Sequence, residues 1–349
     1  MLLDPQTLEL MPSAQQVIEA LGGDPRYKLE LPASQIEIVT TPRETVPEAA
    51  AELARARSHL GRCTNGMIRL GAAAVHPFSS GTGELNRLEA YDHTIREYGP
   101  IACRQLVCAF QVHIAIPGAE RALAVYNAAR SYLPWLAALA ANGTFYEGRD
   151  TGFASVRPKL SELLPRQGVP PSIGSWEEHA AALAWGATTG SVPGPRTWWW
   201  ELRPHPRFGT LEFRVPDAQA AVGDAAAIAA VVQALSVWLA ERDAAGERLP
   251  VAPAWRIEEN RWSACRHGVE GELADLESGE RRPTRERLSE LLATLRPVAE
   301  RLGARQELRR ASDLVALNGA LLQRRAAQEG GARAVARWLA DRFLEPLTG

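Results

Sequence analysis

Period-two alternation in four short segments constrains this chain more than any other feature of its sequence. In Thr210-Leu211-Glu212-Phe213-Arg214-Val215 it puts Leu211, Phe213 and Val215 on one face and Thr210, Glu212 and Arg214 on the other. The same spacing joins Glu201 to Arg203, Gln111 to His113, and Gln35 to Glu37. These segments come before a tail that reads as nearly all helix, and no regular strand–helix alternation separates them. Strands first and helices last predict an α+β fold on an antiparallel sheet, not a doubly wound parallel one.

Local signals fill in the order. Helices are expected over 13–21, 46–60, 84–98 and 119–141, the last kinked or broken at Pro134. Strands are expected over 27–31, 35–40, 67–71, 108–116, 197–203 and 208–215, with Pro204-His205-Pro206 joining the final two. A Gly-, Pro- and Ser-rich loop over 142–175 is long enough to predict a functional role, such as a lid. Further helices are expected over 218–242, near 260–267, and over 284–302, 304–325 and 332–344. No repeat or flexible linker divides the chain, so 1–349 reads as one domain, with a helical C-terminal part from about 256 to 349.

Composition narrows the function classes. Lys plus Arg is 39 against 41 for Asp plus Glu, and this balance argues against a nucleic-acid partner. The four cysteines, Cys63, Cys103, Cys108 and Cys265, form no C-x-x-C pair and read as reduced thiols of a cytoplasmic protein. The longest apolar stretch, 225–240, contains Gln233 and Ser236 and falls short of the ~20 residues that a membrane span needs. It reads as a buried helix, and no membrane partner is expected. Motifs for a phosphate loop, an H-E-x-x-H zinc site and a G-x-S-x-G nucleophile are absent.

The polar strand faces admit two readings. They fit a solvated outer face crossed by ion pairs. They also fit a surface on which glutamates hold Mg²⁺ through oxygen and arginines grip phosphate or carboxylate.

At these same strands the sequence resembles a known family. Glu30-Leu31-Pro32-Ala33-Ser34-Gln35-Ile36-Glu37, Gln111-Val112-His113-Ile114 and Asn142-Gly143-Thr144-Phe145 occur in order. Gly148-Arg149-Asp150-Thr151-Gly152-Phe153-Ala154-Ser155-Val156-Arg157-Pro158 follows, then Trp200-Glu201-Leu202-Arg203-Pro204, the 208–215 strand and Asn260-Arg261-Trp262. The ordered set resembles the carboxylate–amine ligases, also called glutamate–cysteine ligase type 2, over almost the whole chain.

The resemblance implies a glutamine-synthetase-like fold, with a curved antiparallel sheet and helices packed on one side. It implies a reaction in which ATP activates the glutamate γ-carboxyl as an acyl phosphate that the cysteine amine attacks, with Mg²⁺ and ATP as cofactors. Carried over by position, Glu30, Glu37, His113 and Glu212 fall at metal sites, and Arg214, Glu212 and Arg203 at nucleotide-binding sites. Arg149, Arg157 and Gln111 fall at substrate-binding sites, and Arg214 and Arg157 are the expected catalytic residues. Small amino acids are the expected partners, with a homodimer as the assembly.

Members usually carry a Gly-x-Glu-x-Glu strand ahead of the segment resembling Leu3-Asp4-Pro5. This chain opens after it, which suggests either a start placed too far downstream or a binding protein with impaired catalysis. Gln111 stands where members often have histidine, a change that bears on substrate or metal handling. A ligase using another amine is the remaining alternative.

Overall fold

In the computed structural model, which describes residues 1–192 and 194–347, the strands are short and form small antiparallel sheets. Residues 193, 348 and 349 of the expected 1–349 span lie outside the described residues. Strand β1 (Leu2–Leu3) leads to α1 (Ala14–Ala20) and then to a hairpin of β2 (Tyr27–Leu29) and β3 (Ile36–Ile38). Helix α2 (Val46–Thr64) follows, and β4 (Arg69–Leu70) returns to pair with β1. After α3 (Glu89–Tyr98) come β5 (Val112–Ala115), α4 (Ala119–Ala129) and α5 (Leu133–Ala140). A small hairpin of β6 (Phe145–Tyr146) and β7 (Arg149–Asp150) precedes α6 (Arg157–Ser161) and α7 (Trp176–Thr188).

Strands β8 (Leu202–His205) and β9 (Thr210–Phe213) complete a three-stranded sheet in the order β5-β9-β8. Its register sets Glu212 between His113 on one neighbour and Arg203 on the other. The rest is helical: α8 (Val222–Ala244), α9 (Ala254–His267), α10 (Thr284–Arg301), α11 (Arg305–Ala316) and α12 (Gly319–Phe343), with the hairpin β10 (Glu272–Ala274) and β11 (Arg281–Pro283) inserted.

The main core lies under this sheet. Val112, Leu202, Leu211 and Phe213 point from its apolar face onto α4, α5, α8, α10 and α11. Each such side chain contributes about 1.5–3 kcal/mol on burial. Helix α8 is apolar on all sides because it is surrounded. Its length and hydropathy would suit a membrane span, but 72% of its apolar window is buried inside the protein. Helix α2 starts on a capping box, Thr45 accepting from the Glu48 amide and Glu48 from the Thr45 amide.

Several expectations change. The single curved sheet is divided into ladders of two or three strands. The 119–141 helix splits at a 3₁₀ turn, Arg130–Tyr132, and Pro134 sits in the first turn of α5, where its missing N–H costs nothing. The 304–325 helix breaks because Asn318 caps α12 through the Leu321 amide. Gly331, at φ +64°, then bends α12 itself. Helix α7 was not expected, although Ser175 caps it by accepting from the Glu178 amide. The 142–175 segment is pinned, not loose: Thr144 is fully buried and its amide donates to Gln323.

Helix α9 is tied to the chain entering β8 by one buried ion pair. Arg261, 1% exposed, donates from Nε and Nη2 to the two carboxylate oxygens of Glu201 at 2.9 and 2.8 Å. Arg261→Met leaves Glu201 buried without its main partner. The expected loss in urea unfolding is about 3–5 kcal/mol, and a change under about 1 kcal/mol would show that the pair does not hold this junction.

Candidate active site

The β2–β3 hairpin, β5, the end of β9 and helices α2 and α8 wall a cavity of about 870 Å³. Glu30, Glu37, Gln111, His113 and Arg214 line it, with Val46, Ala50 and Leu53 of α2 and Ala226 and Ala229 of α8 on an apolar side. These five, with Arg157 at the wall, bring six of the candidate site residues to one space. The reason is the pleat: on strands whose other face meets the core, the intervening side chains turn into the cavity.

Glu212 lies behind Arg214 and is 2% exposed. Arg203 Nε donates to its Oε2 at 2.6 Å and Nη2 to its Oε1 at 3.3 Å, while Arg214 Nη1 donates to Oε1 at 2.5 Å. Burial opposes ionisation of Glu212, but Arg214 and Arg203 outweigh it and hold the carboxyl at about 2. Arg203 also donates through Nη1 to the Trp198 carbonyl at 2.7 Å. It lines a separate pocket of about 220 Å³ and is linked to the larger site through Glu212 and Arg214.

Glu30 and Glu37 are in the opposite electrostatic state. Burial, then the charge of Glu37, raises Glu30 to about 7, and Arg214, the Leu31 amide and Lys28 relieve it only in part. Burial raises Glu37 as well, with Lys28 and Arg214 pulling it back and Glu212 adding to the rise. Two carboxylates short of positive charge fit a hard cation that takes oxygen ligands. The full expected metal set is not assembled: among the described residues no three His, Cys, Asp or Glu side chains stand together as a metal cluster. Glu212 is occupied by its arginines. Burial holds His113 below its ordinary range although Glu212 pulls it upward, and His113 Nδ1 lies 3.0 Å from the Thr210 hydroxyl.

The two arginines expected at substrate carboxylates are placed otherwise. Arg157 reaches the cavity wall but is buried, donating from Nε to Asp217 at 2.6 Å and from Nη2 to the Val215 carbonyl at 2.5 Å. Asp217 also accepts from the Asn142 amide at 2.8 Å, so Arg157 anchors a junction of loops. Arg149 is exposed on β7 and is not among the residues that line the cavity, because the tight turn at Glu147 and Gly148 pairs it with Tyr146 on a separate hairpin. Sequence reasoning passed over Asp217, which carried no signal. It recorded Glu201, which lines the cavity, without its partner Arg261.

Comparison with known proteins matches residues 1–337 to the family described as glutamate–cysteine ligase family 2. A candidate glutamate–cysteine ligase, 2-3, of Rubrobacter xylanophilus is 37% identical over 347 residues, covering 97% of this chain and 94% of that protein. A similar candidate ligase, 2-1, of Mycolicibacterium smegmatis is 33% identical over 332 residues, covering 94% and 88%. Among solved structures, the fold is similar to a glutamate–cysteine ligase of Francisella tularensis in complex with AMP, with TM-score 0.68, 9% identity and coverage of 92% and 82%. It is also similar to a bifunctional glutathione synthetase of Pasteurella multocida, with TM-score 0.66, 16% identity and 92% of this chain covered. The chain spans about half of that longer protein, 48%.

Glu30 gives the site a pH signature in the ligand-free protein. Its carboxyl titrates near the usual 4.5 when unfolded and at about 7 when folded. Between these values the folded state keeps a proton that the unfolded state releases, so stability falls as pH rises through this window. Glu30→Gln should flatten the fall, raising the melting temperature at about pH 8 while leaving it nearly unchanged at about pH 4. Parallel curves for the two proteins would sink the assignment.

Proposed function

Because the chain belongs to glutamate–cysteine ligase family 2, we propose that it is an ATP-dependent carboxylate–amine ligase with L-glutamate and L-cysteine as nominal substrates. In this reaction the γ-phosphoryl group of ATP passes to the glutamate γ-carboxylate and ADP leaves. The amine nitrogen then attacks the activated carbonyl carbon, and loss of phosphate and an amine proton leaves γ-glutamylcysteine. The observation that carries the reading is the convergence of two charge-starved carboxylates, Glu30 and Glu37, with Arg214 in one cavity. The AMP in the Francisella ligase supports nucleotide use on this fold.

Mg²⁺ held by Glu30 and Glu37 would supply positive charge beside the phosphate oxygens. Arg214 is held at Nη1 by Glu212 and keeps its Nε buried and unpaired among the described residues, suited to a phosphate oxygen. Arg203 acts through Glu212 as a positioning residue. We assign His113 a hydrogen-bonding role beside Glu212 and leave the hard cation to oxygen donors. Gln111 contributes a neutral amide to the substrate side, and Arg157 keeps the wall in shape through Asp217. On this reading the small ladders are parts of a glutamine-synthetase-like curved surface, in a cytoplasmic homodimer.

Coupled ADP release with Mg-ATP, L-glutamate and L-cysteine tests the proposal. Release should depend on all components and stop when a chelator removes Mg²⁺. Arg214→Met should lower kcat/KM by about 10²–10³-fold. The variant should still fold cooperatively, with a lowered melting temperature, because Arg203 still holds Glu212. A folded wild-type chain that releases no ADP with any amino-acid pair would overturn the reading.

A further inference from the structure

One polar side chain in the cavity wall has no structural use. Gln35 is 4% exposed and lines the cavity, yet its Nε2 is sealed from solvent and meets no hydrogen-bond partner among the described residues. The backbone around it is already satisfied: the Gln35 amide donates to Pro32, and the Ser34 carbonyl accepts from Leu2. The fold would lose no hydrogen bond to an apolar side chain of this size. A buried amide without a partner destabilises a protein, and native structures hold few of them. Its position is equally specific, because the same stretch of chain supplies the cavity with the acceptors Glu30 and Glu37, and Gln35 adds an N–H donor to them.

We propose that Gln35 is a substrate-binding residue whose side-chain amide, with Nε2 turned toward the cavity, donates to an anionic oxygen of the bound ligand. That oxygen belongs either to the carboxylate of the acid substrate or to a phosphate. The names of the two ligands rest on the ligase reading above, whereas the unpaired amide does not. A neutral donor gives direction without adding charge, so it can sit beside the carboxylates and leave their cation in place.

The test uses the full chain with Gln35→Leu and Gln35→Asn. Binding of L-glutamate alone and of Mg-ATP alone is measured by calorimetry, beside the ligand-free melting temperature and the KM values from ADP release. Gln35→Leu should melt at or above wild type, since it removes an unpaired buried donor. It should bind one of the two ligands about tenfold or more weakly, and Gln35→Asn should recover part of that loss. Loss confined to L-glutamate assigns the carboxylate, and loss confined to Mg-ATP assigns the phosphate. Should the leucine variant not fold, Gln35→Met, which keeps the length and removes the donor without adding charge, gives the same comparison. Affinities within about twofold of wild type for both ligands overturn the proposal, whatever the melting temperature. A wild-type chain that binds neither ligand overturns it together with the ligase reading. One that binds them but releases no ADP removes the ligase reading alone.

Discussion

A carboxylate buried as deeply as Glu212 stays ionised only where positive charge is held against it, and much of the site follows from how that charge is delivered. The β5-β9-β8 register places Arg203 directly across from Glu212, and the pleat of β9 returns Arg214 to the same face two residues later. The cost of removing an ion from water is several kcal/mol, recovered here by hydrogen bonds from two guanidinium groups. Two arginines against one carboxylate leave a net positive charge behind the cavity wall. Glu30 and Glu37 leave a net negative one. The cavity is thus polarised by separate elements, a state suited to a ligand that brings a cation and an anion together.

What was legible in the sequence was whatever local geometry determines. The strands around Glu212, His113 and Glu37 announced their faces by alternation, and the helical tail by composition. The 3₁₀ break before Pro134 and the cap at Asn318 were readable in principle, since both follow from rules about a helix's first turn. Partners far apart in sequence were not readable. Arg157 and Asp217 are joined across sixty positions and Arg261 and Glu201 across the same separation, and no local pattern reports such a bond. Hence an arginine in a motif rich in glycine and proline read as a substrate ligand, although it holds two loops together. Arg149 misled for the opposite reason, because its motif is a hairpin turn whose direction depends on Glu147 and Gly148 at positive φ.

The same distinction explains the 142–175 segment. Its length predicted a functional role, such as a lid over the reaction. Several of its polar groups are instead paired: the Asn142 amide donates to Asp217, the Thr144 amide to Gln323, and the Gln323 side-chain amide to the Asn142 side chain and carbonyl. Buried backbone that is neither helix nor sheet must find such bonds elsewhere, and here α12 and the chain after β9 provide them. The segment therefore works as a wall.

The cavity is not saturated. Gln35, Arg57, Arg214 and Gln233 all line it, and each carries a buried polar atom without a partner among the described residues. The carboxyls of Glu30 and Glu37 are raised by burial in the same space. Each of these features weakens the ligand-free fold, and each is relieved by a molecule with complementary oxygens and a cation. Binding that completes them stabilises the folded state in proportion to the logarithm of ligand over Kd, so the unsatisfied groups link stability to occupancy. A site of this kind is recognised less by the bonds it contains than by the bonds it lacks. In this protein four buried polar atoms without a partner among the described residues border one cavity, Gln35 and Arg214 from the strand side and Arg57 and Gln233 from helices α2 and α8.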